Sequence, residues 1–480
     1  MTNNSSQLSS KSMNSRQLRS VFSHRRGAGA VALSMCLLSS CSNSDILAVT
    51  DPDLLPPDVI ESPSGPAALR IGALSRFVTA FDGGVDAFTV VTGNLADELR
   101  SSDTFDGRIL PNKRFMNDNL PEMTGTYLNL HRARSSATNA IAIFKEFAPT
   151  QTLNIGELYM YRAYTEDFFG EMYCSGVPFS EPVGSETNYG EPQTTVQIFE
   201  RSVASFDSAL ALVGTNVNLL NGSRIGKARA LLNLGQYAAA ATVVASVPTT
   251  FRLISNHCFG GNCTENGNYS AAAAPSSRYT PSNNEGINGL NFLPTVPDPR
   301  LPWTTSTRSG FNTLFTSVYM PLPLKVCPSY RGTGCPGTRN TTGENVLADG
   351  IEARLIEAEA RLQGKAQSDR DAVFATLNTL RATGIPGFPV TALVGTAPTT
   401  DAAAVTQLFN ERAYWMYLTG HRLGDLRRLI RQYGRNAEAV FPTGELQAPL
   451  SGPYGSDVNF PVPAQEKNNP KFTGCINRNA

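Results

Sequence analysis

The chain has little of what most reactive or nucleic-acid-binding proteins need. Its 40 basic and 40 acidic side chains cancel, so it carries no formal net charge. The basic field that draws a protein to nucleic acid is therefore missing. It has four histidines, and beyond residue 40 only His131, His257 and His421 remain. No G-x-S-x-G elbow, H-E-x-x-H pair or G-x-x-x-x-G-K-[ST] loop occurs, which removes the sequence basis for the commonest hydrolase, metalloprotease and nucleotide-binding chemistries. A calcium loop of the Asp-x-Asp-x-Asp type is also missing. No apolar run beyond Leu38 reaches the roughly 20 residues of a membrane-spanning helix.

What is present begins at the N-terminus. Lys11, Arg16, Arg19, Arg25 and Arg26 precede the small, apolar stretch Gly27–Leu38, and then comes Leu38-Ser39-Ser40-Cys41. A basic region, a short apolar region and a small-residue exit make a secretory signal, predicted here over residues 1–40. The four residues ending at Cys41 resemble a bacterial lipobox, which implies that Cys41 becomes the lipidated first residue. Ser42 follows it, not an acidic residue, which by the same resemblance argues against retention at the inner membrane. Residues 41–65 are rich in Pro and Asp and read as a tether. With the signal gone, its purely basic charge goes too, leaving the mature chain slightly acidic.

Export also fits the cysteines. Removing Cys36 and Cys41 leaves six: Cys174, Cys258, Cys263, Cys327, Cys335 and Cys475. Short spacing predicts local bridges Cys258–Cys263 and Cys327–Cys335, with Cys174–Cys475 as a long-range staple. Zinc is disfavoured because the C-x₂₋₄-C spacing is met only once. No metal or cofactor is expected.

Helical periodicity dominates residues 66–480. Met123, Tyr127, Leu130, Ala133, Ala137, Ile141 and Phe144 share one face of a predicted helix. Val196, Phe199, Val203, Phe206, Leu210 and Val213 share another, capped by Thr194 or Thr195. Ala228 to Ala240, with a corner at Gly235, is similar to a tetratricopeptide hairpin. Further helices are predicted at Leu347–Gln363, Arg370–Ala382, Ala402–Leu418 and Leu423–Tyr433. On the first of these, Glu352, Glu357 and Glu359 interleave with Arg354 and Arg361, the pattern of a solvated, charge-paired face. Residues 248–345 are different: rich in Asn, Ser, Thr, Gly and Pro, they are too long for a structureless loop and predict an irregular subdomain on the helical scaffold. Its rings Tyr269, Tyr279, Trp303 and Tyr330 are the candidate ligand-binding residues, since aromatic faces beside amides and hydroxyls suit a sugar.

Three stretches then carry a family resemblance. Phe409-Asn410-Glu411-Arg412 running to Gly420-His421-Arg422-Leu423-Gly424-Asp425-Leu426-Arg427-Arg428 resembles the NER…GHR…DLRR signature of the SusD/RagB family. Tyr159–Pro178 is similar to its second motif, and Phe460-Pro461-Val462-Pro463 with Glu466 and Asn469-Pro470 to its closing one. Two departures stand out: Leu423-Gly424 replaces two aromatics, and Glu171–Gly176 stretches a turn. The resemblance implies a mostly α fold, in which tetratricopeptide-like hairpins form a right-handed superhelical scaffold with a large irregular insert. It also implies an outward-facing outer-membrane lipoprotein that takes a glycan or peptide to a SusC-like TonB-dependent barrel. A helical-repeat scaffold of the cell envelope with no transport role is the alternative. His421 and Asp425, four apart on a helix, have the spacing of a catalytic pair. The resemblance makes them part of a structural, charge-paired helix start, so no catalytic residue is expected.

Overall fold

The computed structural model describes residues 64–480 apart from 184–185, 258–263, 273–275, 296–297, 302, 304–307 and 320–343. Cys41, Cys258, Cys263, Cys327, Cys335 and Tyr330 lie outside the described residues.

Thirteen α-helices occur among the described residues. They are α1 Gly65–Phe81, α2 Phe88–Ala96, α3 Asp106–Asn112, α4 Pro121–Phe147, α5 Thr152–Met172, α6 Thr195–Leu210, α7 Val217–Asn233, α8 Tyr237–Val244, α9 Gly267–Ser270, α10 Gly350–Leu362, α11 Gln367–Thr383, α12 Asp401–Trp415 and α13 Arg422–Arg431. The strands are short: β1 Leu99–Ser101, β2 Val177–Pro178, β3 Glu181–Val183, β4 Glu186–Asn188, β5 Pro192–Gln193, β6 Arg252–Ser255, β7 Tyr279–Pro281 and β8 Asn345–Asp349. They pair two by two and antiparallel, β1 with β7, β2 with β5, β3 with β4 and β6 with β8. The fold is mostly α, as expected.

The helices form where the sequence repeats at three and four. All seven predicted face residues of α4 are buried. Thr194 caps α6 through a reciprocal bond with Gln197, which satisfies two of the amides a helix start leaves open. On α6 the fit is looser, because Val196 is exposed. Between α7 and α8 the chain turns at Gly235, whose φ of 73° is left-handed and disfavours a side chain. One difference is instructive. The helix predicted from Leu347 starts at Gly350, because residues 345–349 pair with β6 and the Asp349 side chain accepts from Glu352 N at 2.8 Å, capping α10.

A single large apolar cluster joins the helices from α1 to α13. A second, smaller one holds Tyr279, Phe292 and Leu301 of the insert against Val90, Ala413 and Tyr417 of the scaffold. The β1–β7 pair and a buried Arg300–Glu411 contact at 2.9 Å fasten the same subdomain. The described residues of 248–345 thus pack on the helices through a core that the two share.

Candidate functional site

The charged run at α13 is the natural place to look for chemistry, and its groups are all engaged in holding the fold. The chain enters α13 through Leu418 at φ 55° and Gly420 at φ 79°, and a Cβ at Gly420 would lie 2.4 Å from the Phe88 ring. His421 and Asp425 do not pair. His421 Nε2 lies 2.9 Å from Glu352, and burial together with Arg229 holds the imidazole below its usual pKa. Asp425 accepts from Arg412 at 2.9 and 3.0 Å. Arg422 grips Asp97 at 2.7 and 2.9 Å, and Arg428 donates to Glu359 at 2.8 Å. The expectation of a solvated face on α10 is therefore corrected. Glu352 and Glu359 are buried against His421 and Arg428, while Arg354 pairs with Glu357 at 3.2 Å and Arg361 with Asp369 at 2.9 Å nearer the surface.

The candidate aromatic residues divide. Tyr269 and Tyr279 are 2% and 0% exposed, so their rings pack the insert onto the scaffold and offer no face to a ligand. Trp303 is half-buried, edge-on to Tyr319 with centroids 4.9 Å apart. Burial removes the two tyrosines because β7 and α9 draw them inward, which residue type alone does not reveal.

Two other rings are exposed. Phe105 and Phe311 are 45% and 41% exposed, with centroids 6.0 Å apart and planes inclined at 43°. Arg278 backs both, its guanidinium carbon 4.0 Å from the Phe311 centroid and 5.2 Å from that of Phe105. Asp103, fully buried, holds Arg278 at 2.7 Å and accepts from the Thr104 and Phe105 amides at 2.6 and 3.1 Å. Phe311 N donates to Ser277 O at 2.9 Å. The rings are thus fixed before any ligand arrives, and inclined aromatic faces with a cation beside them suit the apolar face and hydroxyls of a sugar. An alanine here would remove most of the apolar contact area.

A polar groove of about 470 Å³ lies elsewhere, between α1, α5, the start of α7 and β6. Asn154, Asn216, Asn218, Asn256, Arg252 and Tyr161 line it. Its volume is within the range of small-ligand sites, roughly 300–1,000 Å³. Tyr161, Ile254 and Asn256 also wall a more apolar groove of about 340 Å³. Among the described residues no group of three or more His, Cys, Asp or Glu side chains is placed to hold a metal. No described helix is long and apolar enough to cross a membrane.

No protein-family model and no curated protein matches the chain. Solved structures do. A SusD superfamily protein from Parabacteroides distasonis is 12% identical with a TM-score of 0.63, over 86% of this chain and 98% of that one. A SusD superfamily protein from Bacteroides vulgatus is 13% identical with a TM-score of 0.61, over 87% and 99%. A SusD-like carbohydrate-binding protein from Bacteroides fragilis is 12% identical with a TM-score of 0.59, over 86% and 99%. The chain has the fold of the SusD superfamily.

Within this SusD fold the three resembling stretches meet. Tyr173 bridges Phe460, with Cys174 N donating to Phe460 O and Phe460 N to Met172 O, each at 2.9 Å. Cys174 and Cys475 form the expected long-range disulfide, with Cα atoms 5.9 Å apart. From α13, Arg427 donates to the Gly170 and Glu171 carbonyls at 2.9 and 2.6 Å. The two departures from the SusD pattern also touch. Glu171 pairs with Arg229 at 2.8 Å and with Asn233 at 2.9 Å, and a Cβ at Gly424 would lie 3.0 Å from its carboxyl. A small residue at 424 makes room for the carboxylate at 171.

Proposed function

We infer that the protein is a surface-exposed outer-membrane lipoprotein that binds a nutrient, a glycan or a peptide. It delivers that nutrient to a SusC-like TonB-dependent barrel as its lid. The lipid on Cys41 is its membrane attachment. It works by binding alone, with no catalytic turnover. The observation that carries this reading is an exposed, pre-fixed aromatic pair, Phe105 and Phe311, on a SusD fold. The likeness to a SusD-like carbohydrate-binding protein supports a glycan. The ion pairs of Arg422, Asp425 and Arg428 support a binding role over chemistry.

The test is a tagged pull-down from detergent-solubilised outer membrane of the native host, with partners identified by mass spectrometry. Recovery of a large TonB-dependent barrel in near-equal amount supports the lid role. Recovery of other envelope proteins without a barrel overturns it in favour of a non-transport scaffold.

A further inference from the structure

A third groove, of about 220 Å³, opens between the first turns of α4, the flanks of β3 and β4, and the short 3-10 helix Ala464–Asn468. Hydrogen bonds fix its frame. Ala464 N donates to Asp118 O at 2.8 Å and Thr124 Oγ1 to Gln465 Oε1 at 3.3 Å, which seat the 3-10 helix beside the start of α4. On the other wall Gly190 N donates to Ser180 Oγ at 3.1 Å, and Asn469 Nδ2 donates to Gly190 O at 2.9 Å. Tyr189, one residue earlier, is thereby held in place. Its ring and Leu128, 38% and 39% exposed, supply the apolar surface of the groove.

Glu466 is the one charged side chain that lines this groove. Half-buried, it accepts from the Tyr127 hydroxyl at 3.0 Å through Oε1, and its Oε2 has no hydrogen-bond or ion-pair partner among the described residues. The cations of the surrounding segments are committed elsewhere: Lys467 to Asp118 at 2.8 Å, Lys471 to Glu191 at 3.0 Å, and Arg134 to Glu181. Burial holds the Glu466 carboxyl above its usual pKa, against the Tyr127 bond and the charge of Arg134. A partly desolvated carboxylate with no cation in contact gains most from a charged donor. An ammonium adds Coulombic attraction to the hydrogen bond that a hydroxyl would make.

We propose that this groove binds a single amino-sugar ring, with its free ammonium on Glu466 Oε2 and its apolar face on Tyr189. An aromatic ring suits both the sugar face and a nearby cation. Thr124, Thr187 and Asn468 line the same space and offer partners to the sugar hydroxyls. The volume is below the roughly 300–1,000 Å³ of drug-sized sites, so it takes one ring and not a chain. Three residues of the closing stretch, Pro463, Glu466 and Asn469, thereby wall a binding site. The groove shares no residue with the Phe105–Phe311 face, so the proposal is tested apart from the reading of that face.

The test is saturation-transfer NMR on the full chain with D-glucosamine, D-glucose and glycinamide at about pH 6.5, where amines are protonated. Glucosamine binds at least about tenfold more tightly than glucose, and Glu466→Gln brings it to the level of glucose. Gln still accepts from Tyr127, so the variant keeps the groove, and an unchanged Tm confirms its fold. Tyr189→Ala, at an exposed ring, weakens both sugars. Equal binding of the two sugars, no binding of glucosamine, or an unaltered glucosamine affinity in Glu466→Gln overturns the proposal. Glycinamide, an ammonium without a sugar ring, overturns the assignment to a sugar if it binds as well as glucosamine.

Discussion

Replacing Glu171 by Gln is the most informative single perturbation of this molecule. Gln has nearly the same shape, so the space that Gly424 leaves is filled as before, and only the charge goes. Arg229 then loses the carboxylate that receives its Nε and Nη2, and Gln can offer one oxygen where two were used. Arg427 and Arg431 lose the one carboxylate that bears on both. Both side chains of the Glu171–Arg229 pair are 2% exposed, so water does not screen the loss. Breaking one partner of such a buried pair costs about 3–5 kcal/mol. Spread over more than four hundred residues, that is a fall in Tm of roughly 3–6 °C. Urea titration is the cleaner assay, because a lower midpoint at unchanged slope isolates stability from compactness. A cost under about 1 kcal/mol would show that Glu171 is not the central counter-charge.

Four further outcomes follow from the same geometry. Phe105→Ala and Phe311→Ala each abolish retention of the protein in affinity gels cast with the polysaccharide that slows the wild type, while Tm stays within about 1 °C because both rings are exposed. Unchanged retention removes the aromatic pair from the ligand face. Burial pushes Glu98 up to about 8 while Leu418 N donates to it at 3.0 Å. Its folded pKa is thus above its unfolded one, so its contribution to stability is complete below about pH 4.5 and is lost as pH climbs through 8. Glu98→Gln should flatten the unfolding free energy between pH 5 and about 9, and an unaltered slope assigns that dependence elsewhere. Cys475→Ser opens a loop spanning 301 positions, for which chain entropy predicts a loss of about 5–6 kcal/mol; a midpoint shift in urea worth less than about 2 would show that native packing holds the tail by itself.

Much of the scaffold was legible in the sequence, for reasons that particular elements make plain. The long helix α4 announces itself because seven core residues recur at three- and four-residue steps over about six turns, and no other structure satisfies that spacing. The start of α10 was misplaced by three residues because Leu347 continues the helical apolar pattern, while pairing with β6 is a long-range event that a local window does not contain. The cap at Asp349, followed by Gly350 and Glu352, was the available correction. On the same helix, Glu352 and Glu359 read as solvated because buried carboxylates are rare; their partners His421 and Arg428 are 69 positions away along the chain. The proposed ligand face was the least legible part. Tyr279 and Phe311 are both aromatic residues of one irregular insert, and only the β1–β7 pairing decides that the first turns inward. Phe105 lies outside the insert altogether, and its one signal is the Asp103 two residues earlier, whose carboxylate fixes the turn that presents the ring.

The meeting of Tyr173 with Phe460 has a consequence for how this chain tolerates being cut or extended. In an array of stacked repeats, losing the last unit shortens the array and leaves the rest intact. Here the last twenty or so residues are threaded back against the end of α5, so the tail is part of the interior. A chain that stops before Phe460 would expose the aromatic and charged heart of the molecule, not a trimmed edge. The places that can absorb insertions lie instead at exposed corners such as Lys365 between α10 and α11, where length can vary without the centre being disturbed.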